Sequence, residues 1–357
     1  MSATILSEFR QASRCIIALG CLAGGMLLSA QLHAASSPAW IRAATFGGNE
    51  SDIGQAVKVD RNGNRYVTGA FSATAGFPVR AAQPDIPLAA SPLAVAASPF
   101  AVARKTLTSA GGTDIFLAKY DSTGTLIWLV QAGGSEDDSG FDIAFDAENN
   151  AYLTGMFADS AVFHSTNGTE TTVTGVGQTI FLAKYLPSGM LAWIRTGTTS
   201  FAGSNNGYGV AVEPVTGSVY VTGVSQGNTT FSSSNGTSHS VAGPGTWHMV
   251  LVKYDTAGTF HWGESNQAEV NTVAHKVAVD AENNAYATGW MEGQTTFYST
   301  DGKNVTVNAF SGPIQSYPDY PAMRSSSNTT PMGTRSGPIT SADTRGSGRT
   351  SPRPTAR

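Results

Sequence analysis

The tetrapeptide YVTG stands at residues 66–69, and the chain writes it again as YLTG at 152–155, YVTG at 220–223 and YATG at 286–289. A short apolar stretch ending in an acid precedes each copy: AVKVD (56–60), DIAFD (142–146), GVAVE (209–213) and KVAVD (276–280). Three copies are followed by an apolar run ending in Lys-Tyr: DIFLAKYD (114–121), TIFLAKYL (179–186) and HMVLVKYD (248–255). A tryptophan segment comes last: LIWLVQAGG (126–134), LAWIRTGTT (191–199) and FHWGESNQA (260–268). Trp128, Trp193 and Trp262 are 65 and 69 residues apart, and PAWIRAATFGG puts Trp40 in one more copy of that last segment. Landmarks that recur in one order mark a repeated structural unit.

Each unit reads as four short strands, a to d, joined by turns. The a–b turns are DRNGNR, DAENNA, EPVTGS and DAENNA, and the c–d turns are DSTGT, LPSGM and DTAGT. Asp and Asn bond their own backbone in such turns, and Gly or Asn accepts the positive φ that tight hairpins need. Four-stranded antiparallel units with no helical stretch between them predict an all-β fold, a β-propeller. One unit cannot bury both of its faces alone, so neighbours must stack around an axis. Three units are complete and the fourth is partial. Either strands a and b near 275–291 join the Trp40 strand to close a fourth blade, or the units form an open arc.

The ordered pattern in GGNESDIGQAVKVDRNGNRYVTGAF (47–71) and AGGTDIFLAKYDSTGTLIW (110–128) resembles the SBBP β-propeller repeat. A second copy runs from GGSEDDSGFDIAFDAENNAYLTGMF (133–157) into TIFLAKYLPSGMLAW (179–193), and the likeness covers roughly residues 40–310. The a–b hairpin is also similar to that of NHL-type propellers. The resemblance implies a propeller in a secreted or cell-surface, S-layer-like protein. It implies no activity and assigns no catalytic residue.

Composition agrees with a globular, turn-rich protein: 357 residues, 41% hydrophobic, 13% charged, with 40 glycines. A net charge of −4 without a basic stripe argues against a nucleic-acid partner, since nothing would neutralise the phosphates. Arg10 and Arg14 precede the apolar run 15–30, and small residues follow, which reads as a signal peptide over 1–34 cleaved after Ala34. That run of 16 residues is shorter than the ~20 a spanning helix needs, so no transmembrane segment is expected after cleavage. Cys15 and Cys21, the only cysteines, leave with the leader, and no disulfide can form. The expected location is secreted, periplasmic or cell-surface.

Two stretches depart from the repeat over 35–312. The first b–c connection carries a Pro- and Ala-rich insertion at about 78–106, expected to be a long loop because proline at that density prevents regular pairing. The fourth unit lacks strand c. Residues 313–357 are Ser-, Thr-, Pro- and Arg-rich without Val, Leu, Phe or Trp, and are expected to be disordered, as a genuine tail or through a change of reading frame.

Candidate sites are sparse. His164, His239, His248, His261 and His275 show no metal-ligand spacing, and no nucleophile elbow or phosphate loop occurs. His275 lies on strand a, where the other copies have Gln55, Phe141 and Tyr208. The loop starting at Asp60 fails as an EF-hand because its twelfth residue is Phe71. Asp52, Asp138 and Asn205 share one position at the entrance of strand a, with Thr272 completing the set. Their oxygens converge on a cation or a polar ligand if that position faces the central channel, and each caps its own blade turn if it does not. Tyr66, Tyr152, Tyr220 and Tyr286, with Trp40, Trp128, Trp193 and Trp262, are structural repeat positions. Lys119, Lys184 and Lys253 are expected to reach the acids Asp60, Asp146 and Glu213.

The function expected is non-enzymatic, structural or binding, without a cofactor, toward a cell-surface protein or polysaccharide. The alternatives are a propeller hydrolase or lyase with an axial metal, and a truncated fragment of a larger surface protein. If the leader is as read, the exported protein begins at Ala35. Mass spectrometry of the exported protein checks this, and an intact Met1 or Ser2 end would refute it.

Overall fold

A computed structural model describes residues 4–9, 40–79, 103–200, 202–268, 271–297, 305–308 and 330–332, and among them every regular element is a β-strand in an antiparallel pair. In the first unit, strands a (Ile53–Val59), b (Arg65–Pro78), c (Arg104–Tyr120) and d (Leu126–Gly133) pair in that order. The second repeats this with Ser139–Phe145, Ala151–His164, Glu170–Tyr185 and Leu191–Thr199. The third does so with Asn206–Val212, Val219–Gln226, Trp247–Tyr254 and Phe260–Ala268. In the fourth, a (Thr272–Val279) pairs with b (Ala285–Met291). The arrangement is consistent with a β-propeller, and no sheet closes on itself among the described residues.

The tyrosine, threonine and glycine of the repeated tetrapeptide each have a physical reason. Its tyrosine is buried in the first three units and pairs across to the lysine of strand c, which pairs across to the tryptophan of strand d. Each ammonium stands 5.1 Å from its tyrosine ring centroid. The same rings meet Trp128, Trp193 and Trp262 edge-on at 5.5, 5.9 and 5.9 Å. The threonine locks b to c, since the hydroxyls of Thr68, Thr154 and Thr222 donate to the carbonyls of Phe116, Phe181 and Val250 at 2.7–2.8 Å. The glycine is demanded by strand a: a Cβ at Gly69, Gly155, Gly223 or Gly289 would fall on the carbonyl oxygen of Ile53, Ser139, Asn206 or Val273.

Consecutive units stack face to face. Trp128 and Lys119 both donate to the Pro187 carbonyl in the next unit's c–d turn, at 3.0 and 2.9 Å. Trp193 and Lys184 repeat this on Thr256, at 3.2 and 3.1 Å. Between the first two units Tyr66, Leu117, Trp128, Ile143 and Phe181 share one core, and Tyr152, Leu182, Val210 and Val252 share the next. Lys184 also lies 3.3 Å from Asp146. Lys119 feels Asp60 and Lys253 acts on Glu213 through charge, and each of the three lysines lies over its tyrosine ring.

Several expectations need correction. The insertion ends earlier than 106, because Arg104, Lys105 and Thr106 pair with Pro78, Phe77 and Gly76 and prolong the b–c hairpin; its proline-rich part lies outside the described residues. The b–c connections are not plain loops. In the second unit the hairpin runs on past a bulge at Asp159 and lays Val162 and Phe163 against Gly133 and Ala132 of the preceding d strand. The third unit does the same with Thr229–Ser232 and Ser238–Val241, and the fourth with Gln294–Phe297 and Val305–Asn308. Each d edge is thereby covered in part, which suppresses edge-to-edge association.

The chain ends also differ. Strand Trp40–Phe46 pairs with Thr4–Phe9, a segment of the expected leader, rather than with the fourth unit. It continues into the Gly47–Gly76 bridge to the first unit, the position that a d strand takes toward the unit after it. From the tail expected to lack order, Thr330–Met332 pairs with Ala285–Ala287, where the other units have strand c.

Trp128 is 7% exposed, while Trp193 and Trp262 are half-buried. Urea midpoints of the three Trp→Ala variants should therefore fall in the order Trp128, Trp193, Trp262, the first losing ~3–5 kcal/mol. Equal small losses would mean that the rings do not hold neighbouring units together.

Candidate functional site

Strand a carries the same irregularity in every unit. The a–b register steps over one residue between Gly54 and Ala56, Gly140 and Asp142, Gly207 and Gly209, and Ala274 and Lys276. The residues stepped over are Gln55, Phe141, Tyr208 and His275, one aligned column. A bulge re-aims its side chain and raises local twist, and the b-strand glycine opposite leaves room for it. The rings of Phe141 and Tyr208 lie 5.0 Å apart and those of Tyr208 and His275 5.1 Å apart, forming a ladder across three units. Phe141 and Tyr208 are half-buried and His275 is exposed, so the ladder has a solvent-facing end.

Charge gathers beside the ladder. The carboxylate of Asp142, only 3% exposed, lies 3.5 Å from the Lys58 ammonium and 3.0 Å from that of Lys276. Its Oδ2 also accepts the Val210 amide at 3.4 Å. One buried acid of the second unit is thus touched by the a strands of the first, third and fourth. That contact places all four a strands around one axis. Lys58 and Lys276 keep 45% and 55% of their side chains exposed, leaving two ammonium groups in reach of solvent.

Asp52, Asp138 and Asn205 lie apart from this cluster in role: each secures a turn at the start of strand a. Asp52 accepts the Gly48 amide at 2.7 Å, and Asp138 accepts those of Gly134 and Ala158 at 2.7 and 2.9 Å. Asn205 accepts the Gln226 amide at 3.0 Å and donates to the Gln178 carbonyl at 2.8 Å. The Thr272 hydroxyl accepts from Met249 and donates to Asn266. Among the described residues no three His, Cys, Asp or Glu side chains gather as a metal would need. Burial pushes the Asp138 carboxyl up to about 7, against its two amide bonds and with help from Asp114 and Asp137. Asp114, within strand c, rises to about 6 because it too is buried.

His164, His239, His248 and His261 serve local structure. His248 is buried with Nδ1 3.1 Å from the Thr246 carbonyl, and burial lowers its pKa. His239 stacks on Phe260 at 4.6 Å, while His164 and His261 lie 3.4 and 3.6 Å from Glu170 and Asp255. Sequence reasoning missed Lys58, Asp142 and Lys276. Their signal was an opposite-charge set inside the otherwise apolar stretches AVKVD, DIAFD and KVAVD.

No family model matches the chain, so its likeness to the SBBP repeat rests on the motif residues alone. The chain is similar to an uncharacterized WD repeat-containing protein of Acanthamoeba polyphaga mimivirus, 28% identical over 285 residues. The match takes in 75% of this chain and spans 18% of the length of that protein. Together with the all-β repeat architecture, it points to a β-propeller-type repeat protein.

Asp114 and Asp138 make a pH prediction. Both carboxyls are raised above the ordinary range, so the folded protein holds protons that the unfolded chain releases. Their contribution to stability is complete below about pH 4 and is lost as pH rises to about 7. The urea midpoint of Asp138→Asn relative to the parent should therefore rise between pH 4 and pH 8. A constant or falling difference would show that Asp138 is not held protonated.

Proposed function

We propose that the chain is an exported β-propeller of four-stranded blades, three complete and a fourth partial, that serves as a non-enzymatic binding scaffold at the cell surface. The observation that carries this is the axial column, where aromatic rings and two half-exposed ammonium groups surround a buried acid. Such a surface recognises; it offers no nucleophile poised beside a base. The repeated acids that an axial-metal hydrolase or lyase would use are engaged in turns. Likeness to a protein named for WD repeats supports the propeller and a role in contacts with other macromolecules. A secreted location rests on the leader and on the resemblance to SBBP repeats.

The partner that fits the axis is an acidic cell-surface polysaccharide. Sugar rings stack on aromatic faces, and carboxylates pair with Lys58 and Lys276. A piece of a longer repeat protein is the second reading, favoured by the match to only 18% of the viral protein. Calorimetric titration with hexagalacturonate should show binding that weakens with salt and falls roughly tenfold in His275→Ala, about 1.4 kcal/mol. Equal heats from a neutral hexasaccharide, or an unaffected variant, would overturn the reading.

A further inference from the structure

The left-handed residue of the a–b turn alternates along the chain, and one interface is shaped differently because of it. Gly63, Asn149, Gly217 and Asn283 hold that position, with φ of 79°, 61°, 72° and 67°. The amide of each donates to the carbonyl of the acid that opens its turn. Gly and Asn adopt such a φ more readily than other residues. Only Asn has a side chain to send across to the unit before it. Asn149 Oδ1 accepts the Arg61 amide of the first unit at 3.1 Å, and Asn283 Oδ1 accepts the Tyr220 hydroxyl of the third at 3.1 Å. A carboxamide thus ties the first unit to the second and the third to the fourth.

Between the second and third units the same position is Gly217, and a cleft of about 430 Å³ lies there with Gly217 in its wall. The Tyr152 hydroxyl donates to Asp146 of its own turn, at 3.0 Å, rather than across the interface. Ala147, the counterpart of Arg61, lines the cleft together with Glu148, and both are exposed. Pro214 and Val215 form its apolar side, and Val215 is 77% exposed. The Lys184 ammonium is already held, by Asp146 at 3.3 Å and by the Thr256 carbonyl at 3.1 Å. With Lys184 and Asp146 offsetting each other, Glu148 gives the lining its net negative charge. An acidic ligand is repelled there, and a neutral one that donates to Glu148 fits. The volume falls within the range of small-molecule clefts, roughly 300–1,000 Å³.

We propose that this cleft binds the acetamido group of an N-acetylated sugar, at a site separate from the axial column. The ligand's carboxamide does there what Asn149 and Asn283 do at the neighbouring interfaces. Its carbonyl accepts the Ala147 amide, as Asn149 accepts that of Arg61, and its N–H donates to Glu148. Its methyl group rests on Val215 and Pro214. A peptide carboxamide presents the same group, but Asn150, Thr216 and Thr256 make the rest of the lining polar, which suits the hydroxyls of a sugar ring. A few placed polar groups beside an apolar wall are what fix a small ligand's orientation.

The probe is N-acetylglucosamine, followed by saturation-transfer NMR with the full chain. Its methyl protons should receive the strongest saturation, and glucose should receive none. Gly217→Asn supplies the carboxamide from the chain itself, so it should keep or raise Tm and weaken sugar binding roughly tenfold. Val215→Asp alters an exposed side chain, so it should leave Tm unchanged and also weaken binding. His275→Ala, which tests the axis, should leave this binding as it is; a loss there would move the sugar to the axial column and overturn the proposal. No transfer to N-acetylglucosamine, equal transfer to glucose, or undiminished binding by Val215→Asp also overturns it. Stronger transfer to acetyl-asparagine amide overturns the sugar and makes a peptide carboxamide the occupant.

Discussion

The structure depends on one carbonyl oxygen per interface. In the turn between strands c and d, Pro187 or Thr256 receives both an ammonium and an indole N–H from the unit before it. Tyrosine, lysine and tryptophan lie side by side on three adjacent strands, and the indole N–H of Trp128 and Trp193 finds its acceptor outside its own unit. Burying a lysine stem over an aromatic face requires that the charged head find an acceptor. The next unit provides it. Stacking of neighbours is thus enforced by polar satisfaction as well as by the apolar core.

The second constraint is steric. A glycine in strand b permits strand a to bulge against it, and the bulge turns one side chain per unit toward the axis. The residue needed for architecture and the residue turned out by the bulge are therefore linked, although they lie on different strands. Architecture keeps the glycine constant in all four copies, while the displayed position varies as Gln, Phe, Tyr and His. A repeat built this way can vary the displayed side chain without changing its fold.

Much of the fold is legible in the amino-acid order. The order of landmarks gave the strands, their antiparallel pairing and the turns; Asp146 and Asp280 accept the amides of their own a–b turns as short-range chemistry requires. The hairpin extensions were not read, although Asn-Gly and Asp-Gly signals stand in HSTNGTE, SSSNGTS and YSTDGKN. They escape a local reading because their partner is the d strand of another unit, which no local pattern reveals. Asp52, Asp138 and Asn205 were visible as a column, but whether a column faces a channel or a turn depends on the twist of the sheet.

The amino-acid order alone determined what is local and periodic: the four-strand unit, its turn residues, and the tyrosine, lysine and tryptophan that recur in it. Those follow from propensity, alternation and repetition, which need no knowledge of distant contacts. Tertiary structure alone decided which units meet and through which atoms. The meeting of Lys58, Asp142 and Lys276 joins residues of three units. Strand Trp40–Phe46 pairs with Thr4–Phe9 and leads into the Gly47–Gly76 bridge to the first unit. Such contacts are set by how the stacked sheets twist about a common axis, and a one-dimensional pattern carries no term for that angle.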